Sequence, residues 1–154
     1  MSSLTVRHVS KRFGNTRAAV DVNLTVAEGE LFALLGPSAC GKTTLLRLIA
    51  GLEEPDSGSI LVGGAEMVGV AVNERPINMV FQSYALFPYM SVADNVSYGL
   101  RVHGIARNEV VARVAEALSL VRLGGLEHRR PDTLSGGQRQ RVALARALVK
   151  RPKV

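Results

Sequence analysis

The amino-acid sequence predicts an α/β fold in which an antiparallel, β-rich opening precedes a mainly helical second half. Apolar and polar residues alternate over much of residues 4–26, which is typical of half-exposed strands. From Ser91 onward the apolar residues recur at helical spacing instead. Between these halves a short apolar run, a glycine-bounded loop and a leucine-rich segment follow one another, which predicts a strand, a tight loop and a helix.

The strands are predicted from local patterns of apolar residues. Residues 4–8 and 20–26 alternate with polar neighbours, as strands do in an antiparallel sheet with one solvated face. The run at residues 31–35 is apolar throughout and predicts a buried strand. Residues 59–62 and 78–81 predict two further strands, of which the second is a core strand.

The helices are predicted from apolar spacing and from capping residues. Residues 44–50 form the first predicted helix, which Gly51 closes, and Ser91 can cap a second. A third helix presents one apolar face, formed by Val110, Val111, Val114, Leu118 and Val121. A fourth begins after Ser135, and the residues that can pack inward from it are Val142, Leu144, Ala145 and Leu148.

The composition limits the class of protein. The 154 residues are 47% hydrophobic and 21% charged, which fits one soluble domain or most of one. The sequence has no secretory leader and no apolar run as long as a membrane span, which favours a cytoplasmic protein. A single cysteine excludes a disulfide framework, and three scattered histidines do not form a metal-site cluster.

A phosphate-binding loop is predicted at residues 36–43, which match the pattern G-x-x-x-x-G-K-[ST]. Its glycines let backbone N–H groups and the helix N-terminus approach phosphate oxygens. Lys42 then reaches the β and γ phosphates, and the Thr43 hydroxyl ligates Mg²⁺. The alternative is an ordinary glycine-containing turn with a surface lysine, but the strand–loop–helix order favours the phosphate loop. The candidate nucleotide-binding residues here are Gly36, Ser38, Ala39, Cys40, Gly41, Lys42, Thr43 and Thr44.

A second candidate anion site lies at residues 134–138, where Ser135, Gly136 and Gly137 precede a long helix. A helix start with bare glycine backbone can bind an anion, although an ordinary serine-capped helix would have the same sequence. A γ-phosphate is best stabilised from both sides, and another subunit can supply the second helix end.

With these two motifs, nearly the whole chain resembles the nucleotide-binding subunit of an ATP-binding cassette (ABC) transporter. Residues 134–138 resemble the family's signature motif, which implies contact with ATP held by the opposite subunit of a head-to-tail dimer. The implied contacts are Ser135, Gly136, Gly137 and Gln138. Phe13 matches the aromatic position that stacks on adenine, or else it packs within its turn. Gln82 resembles the Q-loop glutamine, which implies a ligand of Mg²⁺ and a catalytic role beside Lys42.

The resemblance extends to the partners and to the transported solute. Tyr84, Leu86, Phe87 and Tyr89 resemble the surface that receives a coupling helix of a transmembrane permease subunit, the alternative being packing of the loop itself. Residues 74–96 are most similar to import ATPases for polyamines, ferric iron or sugars. This implies an importer ATPase on the cytoplasmic face of the membrane that couples ATP binding and hydrolysis to uptake, with polyamine or ferric iron favoured.

The resemblance also predicts domain limits and an incomplete domain. It implies one partial ATPase domain, with a β subdomain and phosphate-loop core at residues 1–85, a helical subdomain at 86–140 and a return to the core at 141–154. The family's Walker B aspartate and catalytic glutamate are not among these residues, so we expect the complete domain to hydrolyse ATP and the 154-residue chain to be inactive. Ala39 replaces the family's usual glycine, and a positive φ there would add strain of about 1 kcal/mol.

Two other functions are compatible with parts of the sequence. Lysine plus arginine exceed aspartate plus glutamate by 19 to 13, which permits a nucleic-acid partner. Repair ATPases of the superfamily carry a long coiled coil between the two motifs, whereas here Gly36 and Leu134 are only about 100 residues apart without heptads, so we expect no direct nucleic-acid contact. An inactive or binding-only remnant of the same domain stays open as an alternative.

Overall fold

The computed structural model describes residues 3–154 and separates them into two compact units. The first unit extends to Ile77 and includes Lys153–Val154, and the second is Asn78–Pro152. The predicted phosphate loop therefore belongs to the first unit, and Gln82 and the signature residues belong to the second.

The first unit contains a four-stranded antiparallel sheet. Strands β1 (Leu4–Phe13) and β2 (Thr16–Val26) form a hairpin, and β3 (Ser57–Val62) and β4 (Ala65–Glu66) complete the sheet in the order β2-β1-β3-β4. The two opening strands and the strand at residues 59–62 are thus confirmed.

Helix α1 (Lys42–Ala50) shares one apolar core with this sheet. The alternation of β1 and β3 directs every second apolar side chain to one face, where it meets the buried face of α1. The buried members of this core are Leu4, Val6, Val9, Ala19, Leu45, Leu48, Ile49, Ile60, Val62 and Met67.

Arg75 holds the C-terminal end of α1. Its Nη1 donates to the carbonyl oxygens of Leu48 and Ile49, both at 3.0 Å, and its Nε donates to Val70 O at 3.0 Å. Gly51 ends the helix at φ 81°, and a Cβ there would lie 2.4 Å from Arg75 Nε. A side chain at this position would therefore displace the buried guanidinium.

Two predicted strands are wrong. Residues 31–35 and 78–81 are irregular, and Leu31 and Leu35 are 98% and 88% exposed. A buried strand needs neighbours on both sides to bond its N–H and C=O groups. Within residues 3–154 no strand pairs with either segment, so apolar sequence alone does not make them strands.

The second unit packs three helices around its own apolar core. They are α2 (Val92–Val102), α3 (Arg107–Leu120) and α4 (Gly136–Leu148), and a short 3₁₀ turn, Pro131–Thr133, precedes α4. The core includes Val92, Val96, Leu100, Val110, Val114, Leu118, Val121, Leu134, Val142 and Ala145. Ser91 caps α2 as predicted, because its side chain accepts from Asp94 N. No helix in residues 3–154 is long and apolar enough to cross a membrane.

Three residues predicted to pack inward lie outside this core. Val111 is 63% exposed, and Leu144 and Leu148 are 43% and 37% exposed. Adjacent positions of an α-helix point about 100° apart, so Val110 and Val111 cannot both face the same core. The prediction for these three residues is wrong, while that for the remaining apolar positions is confirmed.

Candidate functional site

The phosphate loop leads into the N-terminus of α1 without a side-chain cap. Gly41 is the N-cap residue, with φ 91°, and no acidic residue lies in the first turn. The first N–H groups of a helix lack intrahelical acceptors, and the helix dipole makes this end positive. The start of α1 is therefore suited to binding an anion.

Gly41 is required by the close approach of strand β2. A Cβ at this position would lie 2.2 Å from the carbonyl oxygen of Ala18, which no real structure tolerates. The glycine thus lets the loop pack directly against the backbone of β2. The position of the helix start is fixed by this contact.

Ala39 has a left-handed backbone, the condition under which strain is expected at this position. Its φ is 64°, which is a region that alanine adopts at a cost of about 1–2 kcal/mol. The strain expected for alanine in place of glycine is therefore present in the loop.

The side chain of Lys42 lies within the loop. Its Nζ donates to Gly36 O at 2.7 Å and to Pro37 O at 2.5 Å, and it lies 3.2 Å from Cys40 Sγ. These acceptors hold the amine at the mouth of the loop but do not neutralise its charge. A phosphate oxygen can supply the negative partner that the carbonyls lack.

The hydroxyl groups around this amine are free for a ligand. Ser38 and Thr43 are exposed, Thr44 is half-buried in the first turn of α1, and none of the three side chains hydrogen-bonds to the residues that the structure describes. Beside the loop lies a cavity of about 440 Å³. Its lining includes Arg17, Ala18, Val22, Leu35, Cys40, Gly41 and Lys42. Its volume is in the usual range for a small-molecule site.

Phe13 lies at the end of β1 and does not line this cavity. Its ring is 46% exposed, and Lys11 Nζ lies 5.4 Å from the ring centroid. The ring is thus not buried in the core of the first unit, and the amine over one face is bound to Asp56 Oδ1 at 3.2 Å.

Cys40 is exposed, and the hydrogen bond from Lys42 lowers the pKa of its thiol. A lower pKa leaves more thiolate at neutral pH, and the thiolate is the form that alkylating reagents attack. We predict that MgATP slows alkylation of Cys40, because phosphates in the loop cover the sulfur. The measurement is the rate of iodoacetamide labelling with and without MgATP, followed by mass spectrometry of the tryptic peptide.

The control for this labelling is Lys42→Ala. The variant should label more slowly near neutral pH, since the thiol pKa rises when its hydrogen-bond donor is lost, and MgATP should give it no protection. Equal labelling of the unaltered protein with and without MgATP would show that nucleotide does not occupy the loop.

In the second unit, Gln82 lies in an exposed turn at the start of a loop. The turn is closed by a hydrogen bond of 2.9 Å from Tyr84 N to Phe81 O. The Gln82 side chain makes no hydrogen bond within residues 3–154. Its amide oxygen is therefore available to a ligand.

The signature residues form the start of α4. Ser135 is the N-cap: its side chain accepts from Gln138 N at 3.2 Å, and Gln138 Oε1 accepts from Ser135 N at 2.8 Å. A Cβ at Gly136 or Gly137 would meet nothing within 4 Å. Glycine costs about 0.5–1 kcal/mol in a helix, so two glycines that local packing does not require leave room for an external group. Locally, the motif is a serine-capped helix, as the alternative interpretation expected.

An aromatic groove lies beside the loop that follows Gln82. We define it by Phe81, Ala85, Phe87, Tyr98 and Arg146, which are among the residues lining a cavity of about 380 Å³. The rings of Phe87 and Tyr98 pack 4.8 Å apart at 50°. Of the other residues predicted for this surface, Tyr89 is 89% exposed, whereas Leu86 packs against the helical core.

Two residues that order this loop were missed from the sequence. Asn95 of α2 is fully buried, accepts from Phe87 N at 2.8 Å and donates to the carbonyls of Phe87, Met90 and Ser91 at 3.0–3.2 Å. Arg146 of α4 contacts the same loop. In the sequence, both are polar residues on the apolar face of a predicted helix. This pattern could have identified them, because a buried polar group needs hydrogen-bond partners.

Comparison with known proteins places these motifs in a family. Residues 19–154 match the ABC transporter family. The spermidine/putrescine import ATP-binding protein PotA of Rubrobacter xylanophilus is 58% identical over 149 residues, covering 97% of this chain and 40% of the relative. The Fe(3+) ions import ATP-binding protein FbpC of Brucella suis is 57% identical over 152 residues, covering 99% and 43%. The chain thus spans about two fifths of the length of these curated relatives.

Solved structures agree with this match. The dimeric ATP-binding cassette MJ0796 in a post-hydrolysis state, bound to ADP and Pi, superposes with a TM-score of 0.84 at 30% identity. The alignment covers 97% of this chain and 70% of that one. A second dimeric structure, of the same bacterial ABC transporter cassette, gives the same values. The predicted fold class is therefore confirmed.

Proposed function

This chain belongs to the ABC transporter family, and we propose that it binds MgATP and, in the full-length protein, hydrolyses it to drive uptake of a solute. The observation that carries the proposal is the start of α1, which is uncapped, free of acidic residues and adjacent to the amine of Lys42. An N-terminus of this kind favours the phosphates of a nucleotide over any neutral ligand.

The nucleotide is held by the loop and the first turn of α1. Backbone N–H groups of residues 38–44 surround the phosphates, Lys42 binds the β and γ phosphates, and Phe13 stacks on adenine. The Thr43 hydroxyl fits Mg²⁺, because it is an oxygen ligand without another partner in the described chain. The Gln82 amide oxygen has the same property, and we propose it as a second ligand. No group of three or more acidic, cysteine or histidine residues in the described chain forms a metal cage, so phosphates and water complete the coordination.

Hydrolysis is an in-line attack of water on the γ-phosphate, for which positioning and charge neutralisation supply most of the catalysis. Bound Mg²⁺ supplies part of that neutralisation. Lys42 holds a fixed positive charge beside the transferred phosphoryl group, and Gln82 orients the phosphate oxygen atoms nearest to it. The N–H groups of Ser135, Gly136 and Gly137 face the phosphate of a second copy, with Gln138 completing the motif.

This division of roles requires a head-to-tail dimer of two ATPase subunits. Support comes from the unfilled space at Gly136 and Gly137 and from the dimeric cassettes that the chain resembles. In each site one copy then supplies the phosphate loop and the other supplies the start of α4. Closure of the dimer around ATP is the step that does mechanical work.

The aromatic groove suits a helix of a permease subunit, because exposed rings with a polar rim are typical of helix-binding surfaces. We place the protein on the cytoplasmic face of the membrane, bound to transmembrane permease subunits. The names of the relatives indicate a polyamine or ferric iron as cargo. The test uses proteoliposomes that contain the full-length protein and its permease, and it measures ATP-dependent uptake of spermidine and of chelated ferric iron. The solute that is taken up is the cargo. If neither solute is taken up, both assignments are contradicted.

The dimer is tested by Ser135→Arg in the full-length protein. Arginine at the N-cap removes the cap and blocks the approach of a second copy, so we expect trapped-ATP dimers and turnover to be lost while ATP binding by the monomer stays within about twofold. Size-exclusion chromatography and nucleotide titration measure the two effects, with Ser119→Arg on the exposed face of α3 as the matched control. Loss of nucleotide binding by the Ser135→Arg monomer would show that Ser135 acts on its own subunit's ATP.

A further inference from the structure

The loop after Gln82 has a backbone that its own residues do not favour. Tyr84 and Ala85 have φ of 62° and 46°, in the left-handed region that residues with a Cβ rarely adopt. Two such residues in succession persist only where the surroundings impose them. The loop is therefore held in place from outside.

Arg146, near the C-terminal end of α4, holds these two residues. Its Nη1 donates to Ala85 O at 2.7 Å and its Nη2 donates to Tyr84 O at 2.9 Å. A planar guanidinium presents two parallel N–H groups, which matches two successive carbonyls in a way that a lysine cannot. The contact thus selects one conformation of the loop.

The surroundings of Arg146 also hold the guanidinium itself. Its carbon lies 5.5 Å from the ring centroid of Phe87, which packs in turn on Tyr98 of α2. Within residues 3–154 it forms no ion pair with a carboxylate, and burial lowers its pKa. A half-buried arginine without a carboxylate partner is not explained by charge pairing, so its hydrogen bonds to the loop are its main contribution.

We propose that Arg146 is a positioning residue that fixes Gln82 relative to the signature end of α4 by holding the backbone of Tyr84 and Ala85. The two ends of this connection lie on one rigid element. Helix α4 has 13 residues and spans about 20 Å, with Ser135 before its first turn and Arg146 in its last. We therefore expect a shift of the loop after Gln82 to be transmitted through Arg146 to α4 and to the signature residues at its start. The effect of Arg146 on catalysis rests on the proposed function, whereas its effect on the position of the loop does not.

The first test measures the position of the loop and does not depend on ATP turnover. A nitroxide label at Ser83→Cys, in a full-length protein whose other cysteines are serine, reports the mobility of the loop by electron paramagnetic resonance. We expect Arg146→Lys to raise the mobile fraction. Phe87→Leu removes the ring beneath the guanidinium and leaves Arg146 in place, and it should change the mobile fraction in the same direction.

Arg141 provides a matched control on the same helix. Its Nη1 contacts the carbonyls of Val121 and Arg122, both at 3.3 Å, and Arg122 also has a positive φ of 56°. Arg141→Lys thus removes a similar contact to a different loop. We expect it to leave the mobility of the label and the ATPase rate unchanged. Equal mobility of the label in the unaltered protein and in the Arg146→Lys and Phe87→Leu variants would overturn the inference.

The second test asks whether Arg146 acts through Gln82. Misplacing a ligand of the reacting groups lowers kcat by about 10- to 100-fold, so Arg146→Lys should reduce kcat while KM for MgATP changes little. In a Gln82→Ala background the same substitution should cost less than about twofold further. Fully additive losses would show that Arg146 does not act through Gln82. If the unaltered protein hydrolyses no ATP, the proposed function fails, and the label measurement still decides whether Arg146 positions the loop.

Discussion

Replacing Lys42 by alanine in the full-length protein is expected to reduce ATP turnover by at least about 10²–10³-fold, the loss that follows removal of one preorganised charge stabiliser. The amine lies among Gly36 O, Pro37 O and Cys40 Sγ, and no other lysine or arginine side chain hydrogen-bonds to this loop within the described residues. The substitution thus removes the cation from the phosphate site. ATP affinity should fall as well, because in the proposed site the amine binds the nucleotide both before and during the reaction.

Phosphate release and fluorescent-nucleotide titration measure these two losses. Lys153→Ala is the control, because Lys153 is exposed and only its backbone N–H is hydrogen-bonded, to Pro76 O at 2.8 Å. Turnover of the Lys42→Ala variant at the rate of the Lys153→Ala control would refute the assignment of residues 36–43 as the phosphate loop.

A chain limited to residues 1–154 is expected to show no ATP turnover, even where it binds nucleotide weakly. Hydrolysis requires a group that orients the attacking water and a carboxylate near the metal ion. No acidic residue follows Asp132 in the sequence. Three acidic residues after α1 already have partners: Glu53 pairs with Arg47, Asp56 binds Lys11 and Arg12 N, and Glu66 accepts three backbone N–H groups.

The same chain should also be poorly stable on its own. Leu31 and Leu35 are exposed, and an open cavity of about 410 Å³ with an apolar lining lies between the sheet and α1. Each Å² of apolar surface left in water loses about 25 cal/mol of the stabilisation that burial would give. The total free energy of unfolding of a domain is only about 5–15 kcal/mol, so the loss is a large part of it. We expect aggregation or a broad thermal transition.

Phosphate release by residues 1–154, with the Lys42→Ala version of the same chain as blank, tests the first claim, and calorimetry tests the second. Turnover above the blank would mean that a carboxylate of this chain serves hydrolysis. A sharp, reversible melting transition would mean that the exposed apolar surface costs less stability than its area indicates.

Apart from β3, which pairs with the distant β1, the elements that the sequence predicted have partners close by in the chain. The hairpin joins β1 to the strand that directly follows it, and the cap at Ser91 binds the N–H of Asp94; both are confirmed. Residues 31–35 and 78–81 depend on flanking strands, which a local pattern cannot reveal. The phosphate loop was visible because its pattern is contiguous, and the left-handed φ of Ala39 agrees with the glycine expected there. The contact of Arg146 with Tyr84 was not visible, since 62 positions separate the two residues.

Helix α1 is fixed at both of its ends, and this has a kinetic consequence. Arg75 binds the carbonyls of its last turn, and Gly41 lies against Ala18 O at its first. These contacts oppose sliding of the helix, so we expect its first N–H groups to keep the same orientation with and without a ligand. If the proposed function holds, we expect little conformational entropy of this helix to be lost when a nucleotide binds, so that its ordering does not limit the rate of association. Differences in affinity among nucleotides should consequently come from differences in their dissociation rates.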